Sequence, residues 1–279
     1  MSQANVGAAR LAFVRLKLQF FRTFLKPQNE RIASALTELA LIQRARGAGA
    51  EAQKHWTEAC ALRAASGVKA PPGSLGMQHV IEGVRRFQTE ILPGEKQLFE
   101  ELSHGQHPEV LFITCSDSRI ETSHLTQVMP GELFILRNAG NIVPPHGTEA
   151  GGEEASIEFA VNAVNVKDII ICGHSHCGAM KGLLHPESLT KLPAVKCFLT
   201  HARETLDNVA NLPADLSEDE RLERTVEANV RVQLKHLKSL PAVAQAISEG
   251  KVNVHGWVYE IESGEVRYFD TDANSWRPI

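Results

Sequence analysis

Two short runs in this 279-residue chain gather residue types that do chemistry: Cys115-Ser116-Asp117-Ser118-Arg119, and Gly173-His174-Ser175-His176-Cys177-Gly178. Two thiolates and one imidazole suit zinc. The His-x-x-Cys spacing lets one tight turn deliver a nitrogen and a sulfur, and Cys115 supplies the third ligand from 59 residues before His174. A structural zinc site closes with four Cys or His ligands, usually as two short-spaced pairs. One pair plus a single cysteine leaves the fourth position open, which is the mark of a catalytic site. Zinc so held would lower the pKa of its water from about 15.7 to about 7 and give hydroxide at neutral pH.

Other residues compete for these roles. Cys172, following a buried strand, reads as a small core residue, and Cys60 and Cys197 read as helix-packing residues. Cys115 taken alone could be the same. Asp117 and Arg119 decide against that, because a carboxylate and a guanidinium at an apolar strand-to-loop junction are costly unless paired. His176 competes with His174, but it adjoins Cys177, and adjacent residues rarely point at one metal.

The elements that must position these runs are legible as an alternation of strand and helix. Val110–Thr114, Leu133–Leu136 and Ile169–Cys172 are short, wholly apolar runs. Such runs belong to a parallel sheet covered by helices. Both candidate runs follow a strand directly, and ligands of open parallel sheets bind at the carboxyl ends of strands near a switch in strand order. Helices are expected over Glu154–Val164, Ala194–Asn208 and Ser217–Ser239, and residues 77–103 read as two helices separated by Pro93-Gly94. The tail Val252–Ile261 alternates, turns at Glu262–Glu265 and returns over Val266–Phe269, a hairpin pattern. The fold class is therefore α/β: a mostly parallel central sheet with helices on both faces and an antiparallel edge hairpin at the C-terminus. Before it, three helices are expected over about 8–26, 30–46 and 50–65, and Lys69–Ser74 with its tandem prolines reads as a linker. The expected domains are a helical extension, 1–70, and a catalytic domain, 71–279.

Bulk properties narrow the function. A net charge of −4 gives no basic field for nucleic acid. No run approaches the roughly 20 apolar residues of a spanning helix, and no signal peptide of the usual build is present. Five cysteines at irregular spacing argue against a disulfide framework and for a reducing compartment. The expected location is the cytoplasm, with a carbon-concentrating assembly or an organelle as further settings.

Cys-Ser-Asp-Ser-Arg, then Arg137-Asn-Ala-Gly-Asn141, then Gly-His-Ser-His-Cys-Gly and the tail His255-Gly-Trp-Val-Tyr259 resemble the β-carbonic anhydrase family over about residues 76–279. The resemblance implies one zinc ion per subunit on Cys115, His174 and Cys177, an Asp117–Arg119 dyad beside it, and a pocket built partly from a partner subunit of a homodimer or larger homo-oligomer. It implies reversible hydration of carbon dioxide to bicarbonate by attack of zinc-bound hydroxide. Gln106, nine residues before the first cysteine, and Phe134, nineteen after it, match the plant-type branch. In that branch the glutamine hydrogen-bonds the substrate. Phe159 replaces a pocket tyrosine and so loses a hydroxyl. Carbon dioxide is then expected against Phe134, Ala139 and Phe159. Asp117 accepts a hydrogen bond from the nucleophile, and Arg119 keeps Asp117 off the metal.

Two other classes stay in view: a carbonyl sulfide or carbon disulfide hydrolase of the same fold, and a non-catalytic scaffold member. For residues 1–70 the expectation is a small helical bundle packed on the catalytic dimer. Two alternatives are a docking element, with Leu11, Phe13, Phe20, Phe21 and Phe24 entering a membrane surface or a partner protein, and a transit peptide.

Overall fold

The computed structural model describes residues 77–148 and 151–279, together with scattered helical positions between 11 and 58. The chain divides into two compact units, 1–106 with 126–129, and 107–125 with 130–279. The linker expected over 69–74 lies outside the described residues. Among the described residues no helix is long and apolar enough to cross a membrane.

In the first unit, the described positions of all three expected N-terminal helices are helical. Val14, Leu18, Ile32, Ala35, Leu36 and Leu39 bury themselves in one cluster, the outcome expected of apolar residues at helical spacing. Leu11 and Phe21, candidates for a lipid or partner surface, lie half-buried against that cluster instead. Phe13, Phe20 and Phe24 lie outside the described residues. Residues 77–102 do not break at Pro93-Gly94. The helix Met77–Arg86 runs through a wide π turn, Phe87–Ile91, into the helix Leu92–Leu102. Pro93 follows the π turn directly, and its missing N–H leaves one gap in the continuous ladder.

The second unit holds a six-stranded sheet ordered β2-β1-β3-β4-β5-β6. The strands are β1 (Val110–Cys115), β2 (Leu133–Asn138), β3 (Asp168–His174), β4 (Asn253–Tyr259), β5 (Val266–Asp270) and β6 (Ser275–Pro278). The first four are parallel, and β5 and β6 run antiparallel to their neighbours. The expected sheet and hairpin are both present, each apolar strand extending a residue or two beyond its apolar run. Unforeseen is β6, four residues with one aromatic, Trp276, whose ring lies tilted against Phe269 at 5.3 Å between centroids. A run that short carries no period, and its Pro278 is tolerated only at an edge.

Strands β1 and β3 are buried along nearly their whole length, as central parallel strands must be. After β1 the chain forms β2 on one side, then crosses to form β3 on the other, so the strand order switches between the carboxyl ends of β1 and β3.

The long helix Glu218–Ser239 packs on β3 and β4. Its start is fixed by a capping box: Ser217 Oγ accepts from the Glu220 N–H at 3.2 Å, and the Ser217 N–H donates to Glu220 Oε2 at 2.9 Å. Close approach is permitted by two glycines in the strands beneath. A Cβ on Gly173 would stand 2.9 Å from Val230, and one on Gly256 would stand 2.7 Å from Leu234 and 2.9 Å from Val230. The helix expected over Ala194–Asn208 is in three pieces, Pro193–Phe198, a 3₁₀ turn Leu199–Ala202, and Glu204–Val209. The tightened turn eclipses residues three apart and so turns Leu199, Ala202 and Thr205 inward together. The helix expected over Glu154–Val164 starts at Gly152 and widens to a π turn over Ala160–Val164. Short helices at Gly178–Leu184 and Pro241–Ser248 were not anticipated.

Gly256→Ala should therefore overpack the helix against the sheet and cost about 1–3 kcal/mol. Urea unfolding measures this, and an unchanged midpoint would show that the helix moves aside at no cost.

Candidate metal centre

Cys115 ends β1 and His174 ends β3, which places both at the switch in strand order. Cys177 precedes the helix Gly178–Leu184, one turn beyond. The two sulfurs and one imidazole nitrogen all lie within 4.8 Å of one another, and all three residues are buried. The loop carrying His174 is tied to the neighbouring strand. The Ser175 N–H donates to the Tyr259 carbonyl at 2.9 Å, and Ser175 Oγ accepts from the Ile261 N–H at 3.0 Å.

The imidazole shows what the group is for. His174 Nδ1 lies 2.8 Å from the Ser175 carbonyl. A carbonyl only accepts, so Nδ1 carries the proton and Nε2 presents its lone pair. That Nε2 is buried with no hydrogen-bond partner. An unsatisfied buried acceptor costs about 1–3 kcal/mol, and a metal ion shared with the two sulfurs removes the cost. The residues therefore fit a cation of the zinc type, with two soft sulfurs, one imidazole and no fourth protein ligand. His176, the competing candidate, is exposed and holds φ +54°; it contributes its backbone carbonyl, which accepts from Arg119 Nη2 at 3.0 Å.

Without a metal the two thiols share one negative charge. Hydrogen bonding from the Cys177 thiol holds Cys115 down at about 4, with smaller help from the Gly140 N–H and against the upward push of burial. Cys177 is pushed up by the same hydrogen bond and by its own burial. Cys172 is a neutral core thiol raised by burial alone.

Asp117 stands beside this group, its Oδ2 3.9 Å from His174 Nε2. Arg119 grips it as a fork, Nε to Oδ1 at 2.9 Å and Nη2 to Oδ2 at 2.7 Å, and the Arg119 N–H adds a third bond to Oδ1 at 3.0 Å. These bonds hold the Asp117 carboxyl well below the usual carboxylate range and raise the guanidinium.

Gln106 is exposed in the segment ahead of β1. Ala139 directly follows β2 and is half-buried. Phe134 pairs in register with Leu111, four residues before Cys115. Its ring stands 6.1 Å from that of Phe159, which is 50% exposed. Phe134 therefore sits four residues, or roughly 13 Å of strand, from the end of β1 that carries Cys115.

Arg137, which carries no role in the sequence reading, staples the first loop. Its Nε donates to the Cys115 carbonyl at 3.0 Å, and its Nη2 to the carbonyls of Asp117 at 2.8 Å and Ile120 at 2.7 Å. The signal was available: an arginine inside an apolar strand must find acceptors. Gly140, at φ +84°, donates its N–H to Cys115 Sγ at 3.4 Å.

A family model described as Carbonic anhydrase matches residues 110–266. A carbonic anhydrase of Synechococcus elongatus is 48% identical over 191 residues, 68% of this chain and 70% of that one. The solved structure of the β-carbonic anhydrase CcaA is 44% identical and superposes with a TM-score of 0.71, covering 73% of this chain and 99% of that one. A structure described among two tetrameric β-carbonic anhydrases of Sordaria macrospora is 31% identical, with a TM-score of 0.63, over 69% of this chain and 95% of that one.

Metal-free protein, prepared by chelation, should keep about one thiolate at neutral pH and lose its ultraviolet absorbance as the pH falls through about 4. Cys115→Ser should abolish that step. Thiolate absorbance that rises only near the ordinary cysteine value of about 8.5 would mean that the two sulfurs do not share a proton.

Proposed function

The chain belongs to the β-carbonic anhydrase family, and from that premise we propose that it interconverts carbon dioxide and bicarbonate with one zinc ion per subunit held by Cys115, His174 and Cys177. One observation carries the reading: His174 Nε2 is buried without a partner beside two buried cysteine sulfurs. Bound there, zinc would supply a nucleophile at neutral pH by acidifying a water from about 15.7 to about 7.

The chain's own residues do the rest. Asp117 accepts a hydrogen bond from the attacking water and orients it. Arg119 occupies both carboxylate oxygens, which keeps Asp117 charged and directed away from the donor set. Arg137 holds the loop carrying both groups. Phe134, Ala139 and Phe159 form the apolar wall for carbon dioxide, and Gln106 donates to a substrate oxygen where charge develops. The last role rests on its nine-residue spacing before Cys115.

The active assembly is a homodimer or a larger homo-oligomer. This is supported by the exposure of Phe159 and Ile135, 50% and 41%, at the β2 edge of the sheet, and by the tetrameric Sordaria relatives. A second copy would complete the pocket that one chain leaves open. Residues 1–70 we assign as a helical extension, and the buried cluster among their described positions favours a bundle.

Stopped-flow hydration of carbon dioxide with zinc measured on the same sample tests the reading. His174→Ala should lose zinc and activity together. Full zinc and full rate in that variant would overturn the ligand set, and turnover of carbonyl sulfide in place of carbon dioxide would replace the substrate. Asp117→Asn and Arg119→Ala should keep zinc and lose about 10²-fold or more in rate. Near-normal turnover in both would remove the dyad from the mechanism.

A further inference from the structure

The long helix turns an unusual face toward the metal centre. Asn229, Gln233 and His236 lie on it at intervals of four and three residues, all buried, at 1%, 0% and 6% exposure. Such intervals put side chains on one stripe, and amides inside an apolar core are retained only when fully bonded. These are bonded to the loop that follows β2. Asn229 Nδ2 donates to the Gly140 carbonyl at 3.0 Å. Gln233 Oε1 accepts from the Val143 N–H at 2.8 Å. His236 Nδ1 donates to the Val143 carbonyl at 3.0 Å. Burial lowers the His236 pKa, and the Val143 carbonyl, which only accepts, places a proton on Nδ1. The rungs are also joined to each other: Gln233 Nε2 donates to Asn229 Oδ1 at 2.9 Å, and the Thr205 hydroxyl donates to the same oxygen at 3.4 Å.

The loop so held delivers one group to the centre, the Gly140 N–H on Cys115 Sγ at 3.4 Å. Gly140 is itself closely fitted, since a Cβ there would stand 2.9 Å from Ala179 Cβ. We propose that Asn229 and Gln233 are positioning residues for the metal centre, aiming the Gly140 N–H at the Cys115 sulfur and so setting how much charge that sulfur gives to the metal. The inference rests on the reading of Cys115, His174 and Cys177 as the metal ligands. An N–H···S bond withdraws charge from a thiolate. Partners one shell beyond a ligand typically govern 10–100-fold in metal affinity.

Full-length protein loaded with cobalt(II) reports the sulfur directly through its thiolate-to-metal absorption. Asn229→Ser and Gln233→Met should shift that band and weaken zinc binding about 10–100-fold against a chromophoric chelator. Ser217→Ala, which uncaps the same helix far from the loop, should lower Tm and leave the band in place. Unmutated protein loaded with cadmium-113 provides a test that needs no variant: the Gly140 amide proton should couple to the metal across Sγ and exchange slowly. An uncoupled, fast-exchanging Gly140 amide, or variants with the unmutated band and affinity, would overturn the positioning role. Failure of the unmutated protein to bind any of these metals would instead overturn the ligand set.

Discussion

Everything in the second unit is arranged around an imidazole nitrogen that has nothing in the protein to bond to. His174 Nε2 is inside, its tautomer is fixed by the Ser175 carbonyl, and its neighbours are two sulfurs. Left alone, this is a poor way to build a core: an unsatisfied acceptor, and two thiols of which one is ionised beside low-dielectric walls. With a soft divalent cation the same three atoms become its ligands and the penalties reverse sign. The centre therefore favours the metal-loaded fold, because binding free energy adds to folding free energy where a site does not survive unfolding.

Holding three atoms from two strand ends and a turn to within 4.8 Å requires rigidity around them, and the sheet supplies it in layers. Parallel strands β1 and β3 end side by side because the strand order switches there. Arg137, coming from β2, spends its guanidinium on three carbonyls of the Cys115 loop. From above, the long helix can descend far enough to reach the loop after β2 only because Gly173 and Gly256 carry no Cβ. The two glycines and the amide stripe are thus one device. The first sets the height of the helix, and the second uses that height to bond the loop.

How much of this the sequence disclosed follows from which signals are local. Strands β1 and β3 were legible because a strand buried on both faces is apolar throughout. The grouping of Cys115, His174 and Cys177 was legible because cysteine and histidine at strand ends have few other uses. The long helix, expected over Ser217–Ser239, spans Glu218–Ser239 with Ser217 as its cap. Three things were hidden for physical reasons. Asn229 and Gln233 look like ordinary polar helix positions until the sheet beneath them is placed. The pieces between Pro193 and Val209 keep a helical composition while changing pitch, so no single period marks the 3₁₀ turn. The role of Arg137 needed its acceptors, which are carbonyls and have no sequence signature.

Phe134 and Phe159 raise a different matter, because their spacing from Cys115 says nothing about which copy they serve. The register places Phe134 opposite Leu111, four residues short of Cys115, which is about 13 Å along a strand. Yet a non-polar substrate needs an apolar wall within contact distance of the nucleophile. Both rings sit toward the β2 edge of the sheet, one half-exposed, with Ile135 exposed on β2 itself. A two-fold axis makes an interface from the same patch on both copies, so a residue too far from its own centre can stand close to its partner's. A carbonic anhydrase assembled this way would share each pocket between two chains. Its catalytic unit would then be the pair, and dissociation would cost activity before it cost metal.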